Sequence, residues 1–170
     1  MGSGATDAYR FGDLLALARR AWIEEMTEQL RRRGYADYRR TDAASLRALL
    51  REPLNVGALG EVLGVTRQAA RKLAAGLEGR GLATTERDVL DRRRTTVVLT
   101  AKGRDYAGAI LEVIAELNDD LASRVALEEL QGADIVLRAV IGDGPFCALA
   151  RRLATPRDLD GPGVTLRQPS

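Results

Sequence analysis

The chain has 170 residues, 45% apolar and 29% charged, the balance of a globular protein long enough to bury a core of its own. It has no histidine and a single cysteine, Cys147, which excludes an internal disulfide, the usual structural zinc sites and Ser-His or Cys-His nucleophilic triads. No apolar run approaches the roughly 20 residues that cross a bilayer, no signal-peptide core opens the chain, so a cytoplasmic protein is expected, and aromatics at 4% leave the core to Leu, Val, Ile and Ala.

Phe11, Leu14, Leu15, Ala18, Trp22, Met26 and Leu30 recur every three or four residues and predict a long first helix over residues 10–33, ended by Gly34. A short connection with Tyr35 and Tyr38 follows. Thr41 or Asp42 is expected to cap a second helix through Leu50, with Leu46, Leu49 and Leu50 inward and Pro53 as its stop. Asn55 caps a short third helix that buries Val56, Leu59, Val62 and Leu63 and ends at Gly64. Thr66 caps a fourth, running to about Arg80, with Ala69, Ala70, Leu73 and Leu77 inward and Gly81-Leu82 as a glycine C-cap. Two short helices around a tight glycine turn are the helix-turn-helix pattern.

Residues 82–86 and 95–99 read as short strands around a charged turn. Thr100 caps a fifth helix to about Arg124, with Tyr106, Ile110, Val113, Ile114, Leu117 and Leu121 on one stripe. A sixth takes residues 127–141, with Leu127, Leu130, Leu137, Val140 and Ile141 as its apolar side. Gly142 and Gly144 break it, Pro145 opens a short helix over 145–154, and residues 156–170, with three prolines and two glycines, form a flexible tail. The fold class is mainly α with a small β-wing.

Charge is unevenly placed. Residues 66–94 carry eight basic and four acidic side chains, a net of +4, whereas residues 112–134 carry seven acidic and one basic, a net of −6. One face turned to phosphate and another to water accounts for both. On the fourth helix Thr66, Arg67, Gln68, Arg71 and Lys72 lead into a major groove, where Gln pairs with adenine and Arg with guanine, and Lys72 meets a phosphate. Asp91, Arg92, Arg93 and Arg94 lie in the turn between the strands, shaped for a minor groove, with Asp91 pairing Arg93 to fix its direction. Either piece alone reads as a solvated basic surface; their order and spacing together favour DNA.

The blocks Pro53–Val56, Leu59–Val65, Leu77–Leu82, Asp91–Arg93 and Leu99–Gly103 make the chain resemble the MarR family of winged-helix transcription regulators over roughly residues 10–141. The resemblance implies an obligate homodimer, residues 10–33 and 102–154 forming a helical dimerisation region and residues 41–100 a winged helix-turn-helix DNA-binding region. It implies recognition helices in successive major grooves of a pseudo-palindrome in double-stranded DNA, a repressor's role, Asp91 and Arg93 in the family's wing positions and Gln68 with its neighbours at the bases. Many members release DNA when a small aromatic or phenolic effector binds between the two parts; Trp22, Met26, Tyr35 and Tyr38 are the candidate contacts. Core packing is the first reading for Trp22 and Met26, and the two readings stand level for Tyr35 and Tyr38. A symmetric partner also explains the long stripes of the fifth and sixth helices, which cannot both be covered within one chain.

Three positions depart from the family pattern: Leu90 stands where a further wing arginine is frequent, Gly60 where alanine is usual, and residues 142–170 extend past the usual end. Gly60 is expected to weaken the third helix by up to about 1 kcal/mol. Cys147, between Phe146 and Ala148, reads as a buried inert thiol rather than a redox sensor. Glu112, Glu116, Asp119 and Asp120 read as a solvated helix face, not a metal site, and no cofactor is expected. The alternative to a DNA-binding regulator is a winged-helix protein-interaction module; an enzyme is not expected, since no carboxylate pair shows a cleft pattern.

Overall fold

The computed structural model describes residues 10–87 and 95–143; of Arg87 only the backbone is included. The chain divides between Arg40 and Thr41 into two compact units.

The first unit is built on helix α1, Phe11–Arg32. Its carboxyl end closes on Gly34, at φ +89°, with the Tyr35 N–H donating to the Leu30 carbonyl at 2.9 Å. The apolar stripe is fully buried only at this end, at Met26 and Leu30; Leu15 and Trp22 are half-buried. Phe11, Leu14 and Ala18 are exposed, although the periodicity placed them inward.

The second unit begins with α2, Asp42–Arg51. Neither expected cap caps it: Thr41 makes no side-chain cap bond, and the Asp42 carboxylate turns into the interior. Ser45 Oγ donates instead to the Thr41 carbonyl at 2.7 Å. Leu46 and Leu49 are buried, while Leu50 is exposed because the helix's inner face is narrower than three leucines. Strand β1, Leu54–Asn55, helix α3, Val56–Leu63, and helix α4, Arg67–Gly79, follow. Asn55 and Thr66 cap as expected, accepting from the Ala58 and Ala69 amides. Leu59, Leu63, Ala70 and Leu77 are buried; Val56, Val62, Ala69 and Leu73 are half-buried.

Helix α4 ends in a double reverse bond: Gly81 N–H to the Glu78 carbonyl at 2.8 Å and Leu82 N–H to the Leu77 carbonyl at 2.9 Å. Gly81, at φ +69°, supplies the left-handed residue this motif needs. Strands β2, Ala83–Arg87, and β3, Thr95–Leu99, pair antiparallel with Thr85 opposite Val97. β1 adds to the far edge of β3 with Leu54 opposite Val97, giving the order β1-β3-β2. A two-residue strand shows no alternation, so β1 left no trace in the sequence pattern.

Thr100 caps α5, Ala101–Arg124, through the Gly103 amide. Tyr106, Ile110, Val113 and Leu117 are buried, and Ile114 and Leu121 half-buried. Helix α6, Leu127–Ile141, has no buried residue at all. Leu127, Leu137, Val140 and Ile141, expected inward, are exposed, since nothing among the described residues covers them. The fold class is as read: mainly α, with a small three-stranded antiparallel sheet. The short helix expected over 145–154, the tail over 156–170 and Cys147 lie outside the described residues.

Candidate nucleic-acid interface

Helix α4 packs on α3 by its small residues. Ala70 and Ala74 are fully or nearly fully buried, and Gly60 on α3 lies so close that a Cβ there would meet the Val65 carbonyl at 3.1 Å and the Ala70 methyl at 3.4 Å. Gly60 is therefore more than a weak helix former; it lets the helix-turn-helix close tightly.

The opposite side of α4 is open. Arg67, Gln68, Arg71 and Lys72 are all exposed, and among the described residues none of their side chains makes a hydrogen bond or ion pair. Five arginines on other helices are placed differently. Arg20 pairs with Glu24, Arg31 and Arg32 with Glu28, Arg124 with Asp120 and Arg138 with Asp134, at 2.6 to 3.0 Å and spacings of three or four. On α4 the corresponding partners are Arg67 with Arg71 and Gln68 with Lys72, and no acidic residue sits in the first turn. Like charges at that spacing, and a cation at a helix amino end, both oppose helix formation. The result is an unneutralised positive face over the amino-terminal half of α4, with Thr66 Oγ1 occupied by the Ala69 amide at 3.2 Å.

The carboxyl end of α4 is held rigidly. The Arg80 guanidinium grips the Asp42 carboxylate with both nitrogens, Nη1 to Oδ2 at 2.9 Å and Nη2 to Oδ1 at 2.6 Å. Tyr106 Oη donates to the same Oδ2 at 3.2 Å. Lys102 Nζ donates to the Arg80 carbonyl at 2.9 Å, and Thr100 Oγ1 to the Gly81 carbonyl at 2.7 Å. Glu78 Oε1 ties α4 to the base of the β2–β3 hairpin by accepting from the amide and the hydroxyl of Thr85, at 3.3 and 2.9 Å. Sequence reasoning missed this network. In the sequence Asp42 reads as a cap and Tyr106 as part of an apolar stripe, and no local pattern marks the Arg80 guanidinium as fixed.

Asp91, Arg92, Arg93 and Arg94, and Leu90 beside them, lie outside the described residues. The effector candidates sit in the first unit: Met26 is buried, Trp22, Tyr35 and Tyr38 are half-buried, and Tyr38 Oη approaches Met26 Sδ at 3.8 Å. Among the described residues no group of His, Cys, Asp and Glu is placed to hold a metal ion, and no helix is long and apolar enough to cross a membrane.

The family model described as the MarR family matches residues 36–94. The transcriptional regulator HosA of Escherichia coli O157:H7 is 30% identical over 94 residues, which cover 55% of this chain and 70% of that protein. The chain belongs to the MarR family. It is a MarR-family transcriptional regulator, a family of regulators and not of enzymes. The fold agrees: the S. aureus MepR–DNA complex superposes with a TM-score of 0.67 at 19% identity, covering 77% of this chain and 96% of that one. The PcaV regulator of Streptomyces coelicolor, solved with its natural ligand, gives a TM-score of 0.63 at 25% identity, covering 83% of this chain and 97% of its own.

Proposed function

We propose that this MarR-family regulator is a homodimeric repressor that binds a pseudo-palindromic operator through α4 and the β2–β3 wing. The observation that carries the reading is the unpaired cationic face of α4, in a chain where Arg20, Arg31, Arg32, Arg124 and Arg138 on other helices each pair with a carboxylate three or four residues away. A phosphate track repays that arrangement, because each contact releases counterions without first breaking an ion pair. Gln68 and Arg71 are the base-reading candidates, Arg67 and Lys72 the phosphate contacts, and Arg92, Arg93 and Arg94 with Asp91 the wing tip. The MepR, CouR and FabT structures, all with DNA, are the supporting comparisons.

The dimer rests on α6. Leu127 and Ile135 are 68% and 69% exposed, with Val140 beside them on a helix that buries nothing. In the other unit the start of α1 exposes Leu14 and Leu17. Apolar surface of this extent calls for a partner, and a second copy covers it by symmetry. A small aromatic effector that releases DNA is the finer part of the reading, with Trp22, Met26, Tyr35 and Tyr38 as its contacts; PcaV, solved with its ligand, supports it.

The test is fluorescence anisotropy on the DNA upstream of the protein's own gene, with scrambled competitor, across a salt series. Specific binding whose logarithm falls steeply and linearly with log salt is expected, and Arg67→Ala should make that slope shallower by about one unit. Weak, salt-insensitive association that competitor abolishes would replace this reading with a protein-interaction module.

A further inference from the structure

The network at the carboxyl end of α4 ties that helix to α2 and α5, outside the α3–α4 pair. One carboxylate, 1% exposed, joins three elements: the first residue of α2, the residue that ends α4, and the second turn of α5. A buried ion pair is a poor way to gain stability, since apolar side chains of similar volume hold a core equally well. What a forked guanidinium on a carboxylate does supply is direction. Arg80 is the pivot of α4. Its side chain is fixed by Asp42 of α2, which Tyr106 of α5 holds in turn, and its carbonyl is fixed by Lys102 from the start of α5.

The lever is long. The 13 residues of α4 span about 20 Å at 1.5 Å per residue, so a tilt of about 10° at the pivot sweeps the amino end by about 3.4 Å. That is about the rise of one base pair. Holding Arg67 and Gln68 in register with bases therefore requires that the far end be fixed to within a few degrees.

We propose that Asp42, Arg80 and Tyr106 are positioning residues that fix the pitch of the recognition helix on α5, and thereby the half-site spacing that the dimer accepts. The inference rests on the DNA-binding reading above. None of the three touches DNA; they act through the helix they hold.

The decisive variant is Tyr106→Phe, which removes one hydroxyl and leaves the Asp42–Arg80 pair and the packing of the ring in place. Arg80→Lys, which keeps the charge but cannot bridge both oxygens, is its companion. Two measurements are made on the full chain. Amide hydrogen exchange at Gly81, Leu82 and Thr100, whose N–H groups close the cap and the wing base, should quicken roughly threefold to tenfold in Tyr106→Phe. Anisotropy on operators whose half-sites are moved apart or together by single base pairs should show a sharp optimum for the wild type and a flattened one for both variants, with the salt slope unchanged. Unchanged exchange with an unchanged spacing profile overturns the proposal. So does an affinity loss by the same factor at every spacing, which would mean that the network only stabilises the fold. If the wild type binds no operator specifically, the function proposed above fails and the spacing claim with it, while the exchange measurement still decides whether the three residues hold the pivot.

Discussion

Replacing Gly103 with alanine should be the most damaging single-methyl change in the second unit. A Cβ at this position would fall on the Leu82 carbonyl oxygen, 2.8 Å from its carbon and 3.3 Å from the Leu82 Cα. Gly103 is absent from the glycines with positive φ, so the requirement is for space and not for an unusual backbone. The obstacle is main chain and cannot swing aside. Ordinary contact asks the oxygen to retreat by more than about 1 Å. That oxygen accepts the Thr100 amide at 3.1 Å, and the Leu82 amide closes the end of α4 on Leu77. Overpacking of this kind costs about 1–3 kcal/mol, and one lost backbone bond adds about 0.5–1.5 kcal/mol, so about 3 kcal/mol is expected, or a fall of roughly 6–12 °C in Tm for a chain of this length. Thermal unfolding by circular dichroism at one fixed protein concentration reads it, since the proposed dimer would make Tm depend on concentration. Gly79→Ala is the control: nothing lies within 4 Å of a Cβ there, and Tm should hold or rise. A Gly103→Ala protein that melts within about 2 °C of wild type would refute the close approach of α5 to the hairpin base.

Asp42→Ala strands Arg80 with its principal partner gone and should lower stability by about 3–5 kcal/mol in denaturant titration. Gly60→Ala should stabilise less than the roughly 1 kcal/mol that helix propensity alone promises, because its methyl crowds the Val65 carbonyl and Ala70; urea unfolding beside Gly79→Ala shows the difference. Gln68→Ala should relax preference at one or two base pairs of the operator by about 1–3 kcal/mol in a binding-site selection experiment. The hydrogen bond from Arg31, with Arg32 nearby, holds the Glu28 carboxyl down at about 2, below its ordinary 4.5. A depressed carboxylate stabilises the folded state above its unfolded value, so that contribution is complete above about pH 4.5 and fades as pH falls toward 2; an NMR titration should find the low midpoint, and Arg31→Ala should raise it.

Much of this fold was legible because its helices announce their own ends. Asn55, Thr66 and Thr100 each accept the amide three residues on, and Gly34, Gly64 and Gly81 each take the left-handed conformation that stops a helix. Capping is local chemistry, so the sequence alone carries it. Burial on the long helices was not legible: periodicity says which residues share a face but not what covers it, and among the described residues Leu14 on α1 and Leu137 and Val140 on α6 are exposed. The exposed Arg67, Gln68, Arg71 and Lys72 could be read from spacing. The Asp42–Arg80–Tyr106 network could not, since its members stand 38 and 64 residues apart.

The two ends of α4 follow opposite rules because they answer opposite demands. A cation that is to meet a phosphate gains least when an internal carboxylate must first be displaced, a step costing about 0.3–0.5 kcal/mol for each exposed helix pair. It gains most where helix dipole and like-charged neighbours have already raised the local potential. The amino end of α4 meets both conditions at the expense of its own helix stability. The carboxyl end is held in place instead, Arg80 by Asp42 and the Gly81 and Leu82 carbonyls by Thr100. Packing of Ala70 and Ala74 on α3 seats the helix, and the Asp42–Arg80 contact fixes its far end, so on the proposed function the stiffness of that contact bears on how accurately Gln68 would meet a base.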